Sequence, residues 1–329
     1  MQPARIGVVI PTPLRAQLFA PADISRLNKL GAVSWTDAAA HLSVEEAIEL
    51  LADCSIGLGS WGTPGPDARL LEGCPHLRLW VHAAGSVKRM FGPHLEGRNL
   101  VIASCAPAIA EDVAEITLAQ LIIGLKRTLE NAAANREGPS PRPSNSRTLA
   151  SATVGVIGAS HVGRRVVRNL LPFGPRILLY DPFISAEEAG EIGAERVADL
   201  LELCACSDAV TLHTPALPAT RRLLGAAHFQ AMPDDAVFVN AARGMCIDEE
   251  ALIAELERGR LFAFLDVSEP EPAAPDSPLR HLPNVVYTSH IAGSPDCKIG
   301  RQAVDDIAAF LQGKSPLLPV SADMLERSA

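Results

Sequence analysis

Three polar residues in the second half of the chain follow apolar runs closely. Arg243 comes after Val237-Phe-Val-Asn-Ala-Ala242, Glu271 after Phe262-Ala-Phe-Leu-Asp-Val-Ser-Glu-Pro270, and His290 after Val285-Val-Tyr-Thr-Ser289. If the runs are strands of an open α/β sheet, these residues stand at the strand ends, where the ligand crevice of such a sheet lies. Proton transfer to a carbonyl oxygen on an anionic substrate needs a proton donor, a fixed cation for the anion and a group that tunes the donor. An imidazole, a guanidinium and a carboxyl supply those three chemistries. Taken singly each has a plainer reading, an Arg-Gly surface turn or a solvated Glu-Pro-Glu-Pro loop. It is their common position at strand ends that joins them.

A second constellation lies upstream. The stretch Thr153-Val-Gly-Val-Ile-Gly-Ala-Ser-His-Val-Gly163 leads an apolar strand into a Gly-x-Ser-x-x-Gly turn at Gly158, Ser160 and Gly163 and then into a helix that Pro172 stops; a further run, Leu178-Leu-Tyr-Asp181, ends in an acid. Strand, glycine turn, helix, strand and acid, in that order, make a dinucleotide-binding βαβ unit. Gly158 supplies the tight turn, the amides of His161 and Val162 at the helix start face a pyrophosphate, and Gly163 lets helix and strand touch. Ser160 replaces the usual middle glycine and keeps a small side chain with a hydroxyl. Asp181 is placed to accept from the ribose hydroxyls and to repel a 2′-phosphate, which favours NAD over NADP; capping of the Asp181-Pro182 turn is the other reading of the same residue.

The elements that must position these groups are legible as alternation. After residue 150, apolar runs at 153–158, 176–180, 208–213, 236–240, 262–266 and 284–288 alternate with helical patterns at 162–171, 196–204 and 248–259, as in a doubly wound parallel sheet buried on both faces. The first hundred residues repeat the alternation more weakly, with strands at 5–10, 55–58, 77–81 and 100–103 and a helix at 44–52. The spacing of Val113, Ile116, Leu121, Leu125 and Leu129 predicts one long helix over 112–136, read as a hinge, a dimer face or a buried core helix. The Pro/Ser-rich stretch 138–146 is a loop, and 301–311 is an amphipathic helix that could pack on the N-terminal domain. The expected architecture is α/β: a Rossmann-type domain over 105–295 and a smaller, flavodoxin-like substrate domain built from 1–104 plus 296–329.

Composition agrees. The chain has 329 residues, 48% apolar and 20% charged, with a net charge of −9, a balance that argues against nucleic-acid and anionic-membrane surfaces. No apolar run approaches a membrane span, and the first nineteen residues, with Arg5, Pro11, Pro13 and Arg15, lack a signal-peptide core, so a cytoplasmic protein is expected. The cysteines, at 54, 74, 105, 204, 206, 246 and 297, have no metal spacing and read as free thiols.

Asn240-Ala-Ala-Arg-Gly-Met-Cys-Ile-Asp248, Leu265-Asp-Val-Ser-Glu-Pro-Glu-Pro272 and Ser289-His-Ile-Ala-Gly-Ser294 resemble the signature blocks of the D-isomer-specific 2-hydroxyacid dehydrogenases. His213-Thr-Pro-Ala-Leu-Pro-Ala-Thr220 resembles that family's loop beside the cofactor, and Val113-Ala-Glu115 the start of its interdomain helix. The resemblance spans most of the chain and implies an NAD-dependent oxidoreductase, usually a homodimer, whose substrate domain is completed by the C-terminal tail. It implies that Arg243 clamps the substrate carboxylate and carbonyl, that His290 is the acid/base, and that Glu271 pairs with His290 and favours its protonated form. NAD would be held by Thr214, Pro215, Thr220, Ala241, Ala242, Asp266, Ala292 and Gly293 beside the glycine turn, and the substrate carboxylate by the Ala84, Gly85 and Ser86 loop. No metal is implied.

Ser268 stands where the family often has an aromatic, Val87 where an Asp is usual, and Gly59-Ser60 lacks the arginine of phosphoglycerate-directed members. His82 and Lys88 flank the carboxylate loop and read either as substrate selectors or as structural residues; Trp61 reads as a lining or a packing residue. With the chain stopping soon after the last helix, a small unphosphorylated 2-keto acid is expected over 3-phosphoglycerate. A corepressor-like NAD(H)-sensing protein of the same fold is the non-enzymatic alternative, against which the intact Arg243, Glu271 and His290 stand.

Overall fold

The computed structural model describes residues 3–326. The chain divides into two compact units, one formed by residues up to Ile109 together with those from Ser294 onward, the other by Ala110–Gly293. Residues 1–2 and 327–329 of the expected substrate domain lie outside the described residues. The divides fall a few residues from the expected 104/105 and 295/296 positions because Cys105 N bonds to His82 O and Ala84 O and Ala108 N bonds to the Gln302 side chain, which ties 105–108 to the first unit.

In the first unit, β1 (Ala4–Val8), β2 (Gly31–Trp35), β3 (Ile56–Gly59), β4 (Leu79–His82) and β5 (Val101–Ser104) are parallel. Their order, β5-β4-β3-β1-β2, is the flavodoxin-like one, and the short strand Pro319–Val320 joins β5 antiparallel. Alternation sorts the side chains. Ile6, Val8, Leu58 and Val81 face a core shared with Ile299, Ala303, Val304 and Ile307 of the helix Cys297–Leu311, whereas Trp80 and Ile102 join Leu51, Leu70 and Met90.

In the second unit, β6 (Thr153–Ile157), β7 (Arg176–Tyr180), β8 (Glu195–Arg196), β9 (Ala209–Leu212), β10 (Ala236–Asn240), β11 (Leu261–Leu265) and β12 (Val285–Tyr287) form a parallel sheet ordered β12-β11-β10-β9-β6-β7-β8. The order reverses between β6 and β9, the switch point of a Rossmann sheet. Register aligns the strand ends: Tyr180, Ile157, Leu212, Asn240, Leu265 and Tyr287 are cross-strand partners in one row. Gly158, Asp181, His213, Ala241, Asp266 and Thr288 therefore all stand one step beyond the same edge.

The long helix expected over 112–136 is two helices, Ala106–Leu125 and Thr128–Glu137. Arg127 breaks it, in left-handed backbone (φ 54°). Its guanidinium is buried, lies 3.8 Å from the Phe262 ring centroid and donates to the Asp235 carbonyl, while Arg147 N takes the free Leu125 carbonyl. The second helix buries nothing, and Leu129, expected on the apolar face, is exposed. Among the described residues no helix is long and apolar enough to cross a membrane, and no cluster of His, Cys, Asp or Glu could hold a metal ion.

Candidate active site

The glycine turn is built as its spacing requires. Gly158 has φ +96°, and a Cβ there would stand 2.8 Å from the His213 carbonyl oxygen; a Cβ on Gly163 would stand 1.9 Å from the Gly158 carbonyl oxygen. Only glycine fits at the second position, because both atoms belong to packed backbone. Ser160 is the N-cap of the helix His161–Leu170, and its hydroxyl accepts from Gly163 N at 3.3 Å. Arg164 N is taken by the Ser160 carbonyl, which leaves the amides of His161 and Val162 without an acceptor among the described residues. Those two amides at a helix N-terminus are a place for a phosphate.

Asp181 closes the turn from the side. Its Oδ2 accepts from Ala159 N at 2.7 Å and its Oδ1 from Phe183 N at 2.8 Å, so the carboxylate caps the turn after β7 and is also tied to the glycine loop. A carboxylate offers about four acceptor positions, so two remain for hydroxyls. The next strand end supplies Thr214, whose buried hydroxyl has no partner, and His213, whose Nε2 meets Thr211 Oγ1 at 2.9 Å while its Nδ1 is likewise unpartnered. Burial pushes His213 down to about 3, so the ring is neutral. Thr220 turns inward: its hydroxyl donates to Pro215 O and accepts from Leu217 N, holding the 215–220 loop. A left-handed glycine, two free helix amides, an acid and an orphaned hydroxyl along one sheet edge fit a dinucleotide.

Arg243 is set by Asn240, the last residue of β10. The buried Asn240 side chain accepts from Ala242 N at 3.0 Å and donates to Arg243 O at 3.2 Å, folding Ala241 and Ala242 into a tight turn. The next residue must be glycine, since a Cβ on Gly244 would lie 2.1 Å from the Ser268 backbone. That contact packs the Arg243 turn against the loop after β11. The guanidinium donates to the neighbouring Ala242 carbonyl at 2.6 Å and has no carboxylate partner among the described residues.

The loop after β11 carries Glu271 and is held at several points. Tyr287 OH accepts from Ala273 N and meets Ser268 Oγ at 3.0 Å, and Ser268 Oγ donates to Pro270 O. Glu269 pairs with Arg221 at 3.0 Å, and its amide donates to Glu249. So held, Glu271 Oε1 meets His290 Nδ1 at 2.5 Å, with both side chains partly exposed. His290 has left-handed backbone (φ 54°), and its amide donates to Asp266 O.

Asp266 organises that turn. It is 1% exposed, and it accepts from Thr288 Oγ1 (2.6 Å), Ile291 N (2.8 Å) and Ala292 N (2.8 Å). The carboxylate thus spends three acceptor positions on the segment bearing His290, which leads into Gly293. The supporting roles of Asn240, Thr288 and Tyr287 were not read from the sequence, although an Asn at a strand end before a turn is a signal for the first.

Ala84, Gly85 and Ser86 lie in the first unit, just after β4. His82, the last residue of that strand, is buried with its Nδ1 unpartnered; burial, with Arg89 adding, pushes it down to about 3. Lys88 is exposed and Trp61 partly buried against the β1–β3 core.

The second unit is a Rossmann-type domain with an imidazole–carboxylate pair in the loops beyond its strand ends. Residues 118–292, more than half of the chain, match the family model described as D-isomer specific 2-hydroxyacid dehydrogenase, NAD binding domain. The chain is 32% identical over 278 residues to D-3-phosphoglycerate dehydrogenase of Methanocaldococcus jannaschii, covering 84% of this chain and 53% of that protein. It is 30% identical over 291 residues to glyoxylate reductase of Korarchaeum cryptofilum, covering 86% and 87%. The chain spans about half the length of the first two curated relatives it matches. Among solved structures, apo D-mandelate dehydrogenase of Rhodotorula graminis has the same fold, with a TM-score of 0.79 at 23% identity, covering 97% of this chain and 98% of that one. The chain belongs to the D-isomer specific 2-hydroxyacid dehydrogenase family.

Proposed function

We propose that the protein is an NAD-dependent enzyme that interconverts a small D-2-hydroxy acid and its 2-keto acid. The observation that carries the reading is the His290–Glu271 pair at 2.5 Å on the sheet edge that also bears Arg243, whose guanidinium has no carboxylate partner among the described residues. A bound nicotinamide supplies or accepts the hydride. The chain does the rest. Arg243 is assigned to the substrate's carboxylate and carbonyl; in the first unit, taken by itself, the amides of Ala84, Gly85 and Ser86 are assigned to a carboxylate. An ionised Glu271 can only accept, so Nδ1 carries a proton and Nε2 is the nitrogen that gives a proton to the carbonyl oxygen in reduction and takes it back in oxidation. His161, Val162, Asp181 and Thr214 are assigned to the cofactor's phosphates and ribose, with Ala241, Ala242, Asp266, Ala292 and Gly293 beside it. A homodimer in the cytoplasm belongs to the same proposal; seven free cysteines, five of them buried, support a reducing compartment.

The substrate is proposed to be unphosphorylated, such as glyoxylate or hydroxypyruvate. At the Gly59-Ser60 turn the Ser60 hydroxyl is buried and donates to Ala83 O, so the two turn residues themselves offer no cation for a distal dianion, which is costly to hold unpaired. Comparing these keto acids with 3-phosphohydroxypyruvate, each with NADH, tests the point. A higher kcat/KM for the small acids is expected. A clear preference for the phosphorylated acid overturns the assignment and directs attention to Arg89, whose guanidinium reaches Thr63 O at 3.4 Å.

Cofactor choice gives a second expected result. A 2′-phosphate beside the Asp181 carboxylate meets like charge, so NADH is used with the higher kcat/KM. Asp181→Arg is expected to narrow or reverse that preference, while lowering NADH efficiency roughly tenfold because the bonds to Ala159 N and Phe183 N are lost. Equal use of NADH and NADPH by the unaltered protein contradicts the electrostatic argument.

A further inference from the structure

We propose that Ser60 and Ser104 are positioning residues that fix the polarity of the 83–86 loop, turning three successive carbonyls inward so that three successive amides face the substrate carboxylate. The proposal rests on the reading of this loop as the carboxylate site.

The bonds are specific. Ser60 Oγ donates to Ala83 O at 2.7 Å. Ser104 Oγ lies 2.6 Å from Gly85 O and 3.3 Å from Ala84 O, and Ala84 O also accepts from Cys105 N at 3.1 Å. A trans peptide is planar and points its C=O and N–H in opposite directions. Holding the carbonyls of Ala83, Ala84 and Gly85 into the protein therefore aims the amides of Ala84, Gly85 and Ser86 the other way. None of these three amides has an acceptor among the described residues. Consecutive amides aimed to one side make a concavity for an anion. The protein also leaves room beside the loop, since a Cβ on Gly85 would meet only Ile109 Cδ1, at 3.7 Å.

Both serines are themselves fixed. Ser60 is fully buried, and Thr63 Oγ1 bonds to its amide and its carbonyl, each at 2.8 Å. Ser104, 2% exposed at the end of β5, has its carbonyl held by Gln302 Nε2 at 3.1 Å, and its hydroxyl accepts from Ala106 N at the start of the following helix. One hydroxyl thus links a helix start to a loop carbonyl. Neither serine faces the anion, so losing either hydroxyl should weaken carboxylate binding and spare the proton and hydride steps.

The test uses the full chain with NADH, glyoxylate as substrate and oxalate as an unreactive carboxylate probe. For Ser104→Ala, KM and the oxalate inhibition constant are both expected to rise about tenfold, the scale of one lost buried hydrogen bond. The value of kcat at saturation is expected to change less than twofold, with NADH affinity retained. Ser60→Ala should move the same two constants in the same direction, and Ser104→Thr, which keeps the hydroxyl, should restore them. Because Ser104→Ala also removes a helix cap, melting curves identify any loss of fold, in which case Ser60→Ala and Ser104→Thr decide the question. Folded alanine variants with unchanged KM and oxalate affinity overturn the proposal while the carboxylate loop stands. A wild-type protein that reduces glyoxylate without being inhibited by oxalate refutes the loop assignment and the proposal with it.

Discussion

Glutamine in place of His290 is expected to lower kcat by roughly 10²–10⁴-fold, the range for loss of a positioned general acid, with NADH affinity nearly unchanged. The amide fills a similar volume but cannot carry a proton to the carbonyl oxygen. Glu271→Gln should fall in the same direction, by roughly 10²-fold or more, for a different reason. An ionised carboxylate 2.5 Å from Nδ1 admits only the ring form with a proton there. An amide can donate as well as accept, and so also stabilises the form with the proton on Nε2. Steady-state rates with a 2-keto acid and NADH, alongside NADH binding by fluorescence, measure both effects. A His290→Gln protein that turns over within a few-fold of wild type removes His290 from the chemistry.

The second large effect is expected at Asp266. The resemblance counts this residue among those beside NAD, and in the structure its two oxygens receive Thr288 Oγ1, Ile291 N and Ala292 N, and it is buried. Asp266→Asn keeps the shape and leaves one oxygen where three donors converge on two. The new NH₂ must oppose a backbone N–H. A buried donor without an acceptor costs about 1–3 kcal/mol and more when a charged acceptor is lost, so a loss of about 2–4 kcal/mol is expected, read as a lower urea midpoint. Because Asp266 O also accepts from His290 N, kcat should fall at least tenfold. Unchanged stability and kcat would show that the 288–292 turn is held by something else.

How much of this could be read from the chain depends on the range of the forces involved. The strand ends were legible because each motif follows a short, nearly continuous apolar run, and register then places all six ends in one row. Gly158 and Gly163 were legible because a left-handed turn at the first and the close approach of the second to the Gly158 carbonyl are local requirements. The edge strand Gly31–Trp35 was missed, as its partly exposed residues give no apolar run. The break at Arg127 was hidden for the opposite reason. Leu121, Ile122, Leu125 and Leu129 continue the helical pattern through it, and what ends the helix is a guanidinium finding Phe262 and Asp235, both more than a hundred residues away. The approach of Glu271 to His290 needed loop geometry that spacing does not encode. Ser60 and Ser104 are small polar residues of a common type, and only the carbonyls they hold distinguish them.

The first unit takes its last helix and its antiparallel edge strand from the far end of the chain, which sets an order of events during synthesis. When Ile109 leaves the ribosome, Ile6, Leu58 and Val81 still lack the cover of Ile299, Ala303, Val304 and Ile307. That apolar face waits uncovered while the whole span Ala110–Gly293, which makes its own compact set of contacts, is translated. The domain that begins second is therefore the one that can finish first.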